Sequence, residues 1–194
     1  MTTMLKAALA AATLAMTAAA VAAPTTYALD PNHTYPSFEA DHFGGLSVWR
    51  GKFKSSSGQV VYDKDAQKGD VSVTIDAASI DFGHDKMNDH AKSAEMFDVA
   101  KFPTATYTGT LAAFKDGKPT EVHGNLTMHG VTKPVKLQIL SFKCQPNPMT
   151  KKQTCGADAA ATIDRGDFGI EYGKGYGFNL AVGLAIQVEA VKAD

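Results

Sequence analysis

The chain has 194 residues, with 19 Lys+Arg against 20 Asp+Glu and a formal net charge of −1. That length suits one domain or at most two, and the balance of charge excludes recruitment of nucleic acid or an anionic membrane surface through a cationic field. With 44% hydrophobic and 20% charged residues and 17 Gly, the composition is that of an ordinary globular chain, neither disordered nor collagenous nor disulfide-dense.

Residues 1–22 carry one charged side chain, Lys6, then the apolar run Ala7–Ala12 with Leu14, Ala15 and Met16, then small residues. This is the order of a secretory signal peptide, and Ala20-Val21-Ala22 places cleavage after Ala22. A retained transmembrane anchor needs roughly 20 apolar residues with polar flanks, which this Thr- and Ala-rich stretch does not supply. The mature chain is then 23–194, located in the periplasm or secreted. An oxidising destination favours pairing the only two cysteines, Cys144 and Cys155, across a Pro146-Asn147-Pro148 turn segment.

Alternation with period two dominates the mature chain. Strands are expected near residues 26–30, 35–43, 47–62, 70–76, 104–115, 120–129, 133–144 and 155–164, with 178–191 closing the set. One short helix is expected near 85–99, where Met87, Ala91, Ala94, Met96 and Phe97 recur at helical spacing before Pro103. Gly-, Pro-, Asp- and Lys-rich links of hairpin length separate the strands, which makes the class all-β and antiparallel, a sandwich or a closed barrel. About eight strands close a barrel just wide enough to fill itself or to hold one small ligand. In the last strand the bulky parity Phe178, Leu180, Val182, Leu184, Ile186, Val188 alternates with a small one, Ala181, Gly183, Ala185. The small face either leaves room inside the barrel for a guest or permits close packing of a neighbouring element.

The chemistry of the sequence is sparse. Histidines stand at 33, 42, 84, 90, 123 and 129, without His-Glu-x-x-His or His-x-His spacing, so no metal site is expected. No Gly-x-Ser-x-Gly elbow is present. Gly173-Lys174-Gly175-Tyr176-Gly177 looks like a phosphate loop but precedes a strand, so no helix amino terminus faces an anion and a turn is expected. No catalytic residues and no cofactor are assigned.

Seven segments in order resemble one family: Asp30-Pro31-Asn32-His33, Phe38 to His42, Gly51-Lys52-Phe53, Ala78-Ser79-Ile80-Asp81, Met96 to Pro103, Gly124 to Val135 and Arg165 to Ile170. Together they are similar to the YceI-like family of exported, polyisoprenoid-binding proteins, and the Cys144 to Cys155 segment resembles a disulfide-bearing branch of it. The resemblance implies that 23–194 is a lipocalin-like antiparallel β-barrel whose apolar tunnel holds an isoprenoid, quinone-like or fatty amphiphile as ligand, without catalysis. It also implies transient contact with the membrane or with a membrane cytochrome of the b561 type. Where the family often carries Arg-Asp-x-His-Leu, this chain has Met87-Asn88-Asp89-His90-Ala91. The missing cation favours a neutral or quinone-like head group over a pyrophosphate.

On this reading the ligand tail meets Phe38, Val48, Trp49, Phe53, Met87, Met96, Phe97, Phe102, Tyr107, Leu126, Phe168 and Phe178, while His42, His90 and Arg165 serve the head. Arg165 has an alternative role, a structural pair with Asp167 at a barrel end. Two rival functions remain. One is a His/Asp hydrolase acting on an envelope lipid with His42 or His90 as general base. The other is an interaction protein with a self-filled barrel. The chain is expected to be a monomer, or a homodimer if the barrel seam leaves a strand edge.

Overall fold

A computed structural model describes residues 23–194, so the expected leader at 1–22 lies outside the described residues. In chain order the elements are β1 (Thr25–Leu29), β2 (Tyr35–His42), β3 (Ser47–Phe53), β4 (Ser56–Asp63), β5 (Lys68–Asp76), β6 (Ile80–Asp81), α1 (Asp85–Lys92), β7 (Thr104–Ala112), β8 (Glu121–Met128), β9 (Val131–Pro146), β10 (Gln153–Asp164) and β11 (Ala181–Lys192). The sheet runs β1-β4-β5-β7-β8-β9-β10-β11, and antiparallel pairing of β1 with β11 closes it into an eight-stranded barrel.

Three strands of the ring are each interrupted at one level. β11 pairs with β2 over Val182–Gln187 and with β1 from Ala190, the change of partner falling at the Asp30–Thr34 turn. The expected strand 47–62 is likewise two, β3 and β4, broken at Lys54-Ser55. β5 passes into β6 through a 3-10 turn at Ala77–Ser79 that Asp76 caps by accepting from the Ala78 amide. The breaks let β2, β3 and β6 splay from the closed ring and form its mouth.

α1 occupies the first half of the expected 85–99 helix; turns carry the chain on to Pro103. Its Asn88 holds it to the sheet, the side-chain amide donating to Asp81 Oδ1 at 2.9 Å while its oxygen accepts from the Phe82 amide at 2.8 Å. With the Gly83 amide as the largest contributor, then Asn88 and Lys54, these donors lower the Asp81 carboxyl to about 2.

Two features of the strands depart from simple alternation. In β9, Ile139 lies opposite Ala159 but Ser141 opposite Asp158, so Leu140 is an extra residue that bulges into solvent. The bulge resets the parity, and Val135, Leu137, Ile139 and then Phe142 all point inward. In β11 the small face is the outer one. Ala181 and Ala185 are exposed, whereas Val182, Leu184, Ile186 and Val188 line the interior. Of the two readings of Ala181, Gly183 and Ala185, internal room is therefore overturned: the pleat sends them outside, and the room comes from β10. There Ala157 and Ala159 stand on the inner face between Cys155 and Ile163.

Cys144 and Cys155 face each other across β9 and β10, with Cα atoms 4.0 Å apart, and form the disulfide. It crosses the end of the barrel away from β2 and β3, beside Tyr27, Tyr62 and Phe142.

Candidate functional site: a two-chambered apolar tunnel

The barrel interior is hollow. A chamber of about 200 Å³ is lined by inward residues of the ring strands, among them Leu29, Val73, Tyr107, Leu126, Leu137, Ala159, Ile186 and Val188. A second chamber of about 300 Å³ lies under β2, β3, α1 and the segment after β10. Phe38, Phe53, Met128, Ile163 and Leu184 belong to both walls, so the chambers adjoin in series. From Cys155 to Ile163, β10 runs along both, a rise of roughly 26 Å at strand geometry. Residual exposure distinguishes walls from packed core. Phe168, which lines neither chamber, keeps 2%, whereas inward Leu126, Leu137 and Ile139 keep 8–9% although the sheet surrounds them.

Three hydroxyls of the barrel chamber are already satisfied by backbone carbonyls. The Tyr107 hydroxyl donates to the Val135 carbonyl at 2.9 Å, the Tyr62 hydroxyl to the Gly117 carbonyl at 3.1 Å, and the Thr34 hydroxyl to the Glu189 carbonyl at 3.1 Å. A Cβ on Gly124 would lie 2.6 Å from the Tyr107 ring, which is why that inward position holds no side chain. Burial pushes the Tyr107 phenol up to about 12 and raises Tyr27 and Tyr62 as well. The lumen therefore meets a guest with hydrocarbon and few directed bonds.

The mouth chamber is different. Asp41, His42, His90 and Arg165 stand in its wall. Arg165 donates to the Ile170 carbonyl at 2.7 Å and the Tyr172 carbonyl at 2.6 Å, closing the turn after β10. Burial lowers its pKa, opposed by nearby Asp164. The suggested Arg165–Asp167 pair is not formed; the guanidinium goes to backbone carbonyls instead. Asp41 accepts from the amides of Gly44, Gly45 and Asn179, and its carboxyl is held below the usual range, Asn179 contributing most. His42 packs edge-on against Phe43 and Phe178 and tilted against Trp49. His90 packs edge-on against Tyr172 with centroids 4.5 Å apart, its Nδ1 lies 3.7 Å from Glu95, and its Nε2 is buried without a hydrogen-bond partner.

Most of the residues named from the sequence stand in these walls. Tyr107 and Leu126 face the barrel chamber, and Phe38 and Phe53 both chambers. Trp49, His42, Met87, His90, Met96, Phe97, Arg165 and Phe178 face the mouth chamber. Three do not line either. Val48 is on the parity of β3 opposite to Trp49 and is exposed. Phe102 packs outside on His129, with centroids 4.5 Å apart, and under Lys101. Phe168 is locked in the core beneath the turn after β10. Missed by the sequence reading were Leu29, Tyr62, Val71, Val73, Val135, Leu137, Ile186 and Val188; their strand parity was the available signal.

Asp30, His33 and Glu189 each bring a metal-ligating atom within 4.8 Å of the others at the strand interruption. The Asp30–His33 hydrogen bond of 2.8 Å accounts for the pair, lowering the acid and raising the imidazole.

A model of the YceI-like domain matches residues 27–191, nearly the whole described chain. The chain belongs to the YceI-like family. Proteins called YceI in Salmonella arizonae and Salmonella enteritidis are each 36% identical over 177 residues, covering 91% of both chains. Solved structures share the fold. BcnA of Burkholderia cenocepacia superposes with a TM-score of 0.65 at 24% identity, covering 84% of this chain and 99% of that one. A polyisoprenoid-binding domain from Saccharophagus degradans gives 0.63 at 16%, covering 87% and 99%. The Campylobacter jejuni YceI protein gives 0.65 at 23%, covering 77% and 88%.

Proposed function

We propose that this protein binds and carries an isoprenoid, quinone-like or similar long-chain amphiphile, its tail in the barrel chamber and its head in the mouth chamber. The observation that carries this reading is the continuous apolar wall shared by two unfilled chambers. Burying a CH2 group is worth about 0.8 kcal/mol, so a tail of a dozen or more carbons offsets the cost of association without any charge contact. The partnerless Nε2 of His90 is the polar atom available to a head-group oxygen. A neutral head suits a wall whose Arg165 is already spent on carbonyls. Membership of the family, and the polyisoprenoid-binding domain among its structural neighbours, support the same reading.

Family membership and the polyisoprenoid-binding neighbour support a role of binding rather than catalysis, and the carboxylate beside His90, Glu95, lies 3.7 Å from its Nδ1, beyond hydrogen-bond reach. The leader read at 1–22 would deliver residues 23–194 to the periplasm or beyond, where the disulfide is stable. There the guest would be exchanged with the membrane or with a b561-type cytochrome. Solvent extraction of the protein purified from its native host, followed by mass spectrometry, tests the proposal. A stoichiometric long-chain amphiphile is expected; a protein that carries none and cannot be loaded refutes it.

A further inference from the structure

Among the described residues, seven large hydrophobic side chains are left exposed, and five of them, Phe43, Leu46, Val48, Tyr172 and Tyr176, stand around the mouth chamber. They come from the β2–β3 hairpin and from the loop before β11. The two loops touch. Phe43 and Phe178 pack with centroids 4.9 Å apart, and a Cβ on Gly44, at φ +63°, would lie 3.1 Å from the Gly177 carbonyl oxygen. Asp41 fixes both at once through its hydrogen bonds to Gly44 and Gly45 on one side and Asn179 on the other. The outermost side chains, Leu46 at 76% and Tyr176 at 73% exposure, therefore project as a pair of held, convex tips.

We infer that these tips form a membrane-docking rim that inserts into the interface of an uncharged lipid bilayer and brings the tunnel mouth to the source of its guest. The inference rests on the carrier reading. Three observations select a bilayer over other occupants. Convex loop tips fit between lipid head groups, whereas a twofold dimer needs one self-complementary patch. A tyrosine offers the apolar body and polar hydroxyl favoured at that depth. The cations of the hairpin and of the loop tip beside it are paired within the chain, Lys174 with Glu171 at 2.8 Å and Arg50 with Glu39 at 2.7 Å, so the tips themselves present no unpaired cation to an acidic partner or anionic lipid. Among the described residues no helix is long and apolar enough to cross a membrane.

The test uses phosphatidylcholine vesicles, with flotation and quenching of Trp49, the sole tryptophan, by brominated lipid. The protein is expected to float with the vesicles equally in low and molar salt. The double variant Leu46→Ser with Tyr176→Ser, at residues outside both chamber walls, is expected to partition about tenfold less while taking up a fluorescent fatty acid from solution unchanged. Absence of flotation, loss of binding in high salt, a variant that floats as well as the parent, or a rim found buried in a dimer that the variant splits would each overturn the inference. Uptake without flotation removes the rim and leaves the carrier; flotation without uptake does the reverse.

Discussion

The two chambers adjoin, yet they are made differently. The barrel chamber is walled by regular strands whose inward parity is apolar and whose hydroxyls are tied to backbone carbonyls. The mouth chamber is walled by split strands, a short helix and two loops, and it holds Asp41, His42, His90 and Arg165. Strand repetition makes a non-directional hydrocarbon sleeve, while the breaks in the strands admit the side chains that discriminate one head group from another.

Blocking the sleeve should produce the largest effect. Ala159→Trp projects an indole into the barrel chamber from β10 and removes room for four or five methylenes, which lowers long-chain affinity about a hundred- to a thousandfold. Titration of a fatty-chain probe measures this, with thermal unfolding to show that the fold survives. A comparable block in the mouth chamber should reduce affinity less, because less of the tail lies there.

The disulfide belongs to the sleeve's far end, opposite the mouth. Replacing Cys144 and Cys155 by Ser removes an eleven-residue cross-link and should cost about 2–3 kcal/mol in denaturant unfolding. It should leave head-group preference unchanged.

The chambers should also part company with pH. Tyr107 titrates near 12 when folded against about 10 unfolded, so its contribution is complete below pH 10 and is lost as pH rises from 10 toward 12. Asp41 has a lowered pKa; its contribution is present above the ordinary aspartate value and is lost as pH falls through the lower folded one. Phenolate absorbance should therefore report the sleeve opening in alkali, and Trp49 fluorescence the mouth loosening in acid. Asp41→Asn should remove the Asp41 part of the acid transition, leaving the part that Asp81 contributes near pH 2 and the alkaline one.

The smallest effect is the most selective. His90→Phe removes the one buried nitrogen without a partner among the described residues and should weaken a guest bearing a head-group oxygen about tenfold, with a pure hydrocarbon unaffected. Competition between the two guests separates these outcomes.

What the sequence disclosed follows the same division. The sleeve was legible because alternation reports which face is apolar: Tyr107, Leu126 and the β11 parity repeat with period two. Alternation cannot say which of two non-polar faces points inward, so the small face of β11 stayed open between internal room and close packing, and the alanines of β10 were overlooked. Nor can it register a bulge, and Leu140 reverses the parity of β9 in mid-strand. The mouth was legible in part, through the aromatic and histidine content of segments that resemble the family. Phe102 and Phe168 belong to those segments too, but turn geometry takes Phe102 outside and Phe168 into the packed core. Asp41 escaped notice because the partner that joins its hairpin to the second loop, the Asn179 amide, is 138 residues away.

A density map of the protein crystallised with a long-chain amphiphile examines the central claim most directly. One continuous rod running from beside His90, past Phe38 and Phe53, toward the Cys144–Cys155 bridge is the predicted result. Side chains interlocked across the lumen, with the amphiphile absent or lying on the outer surface, would contradict it.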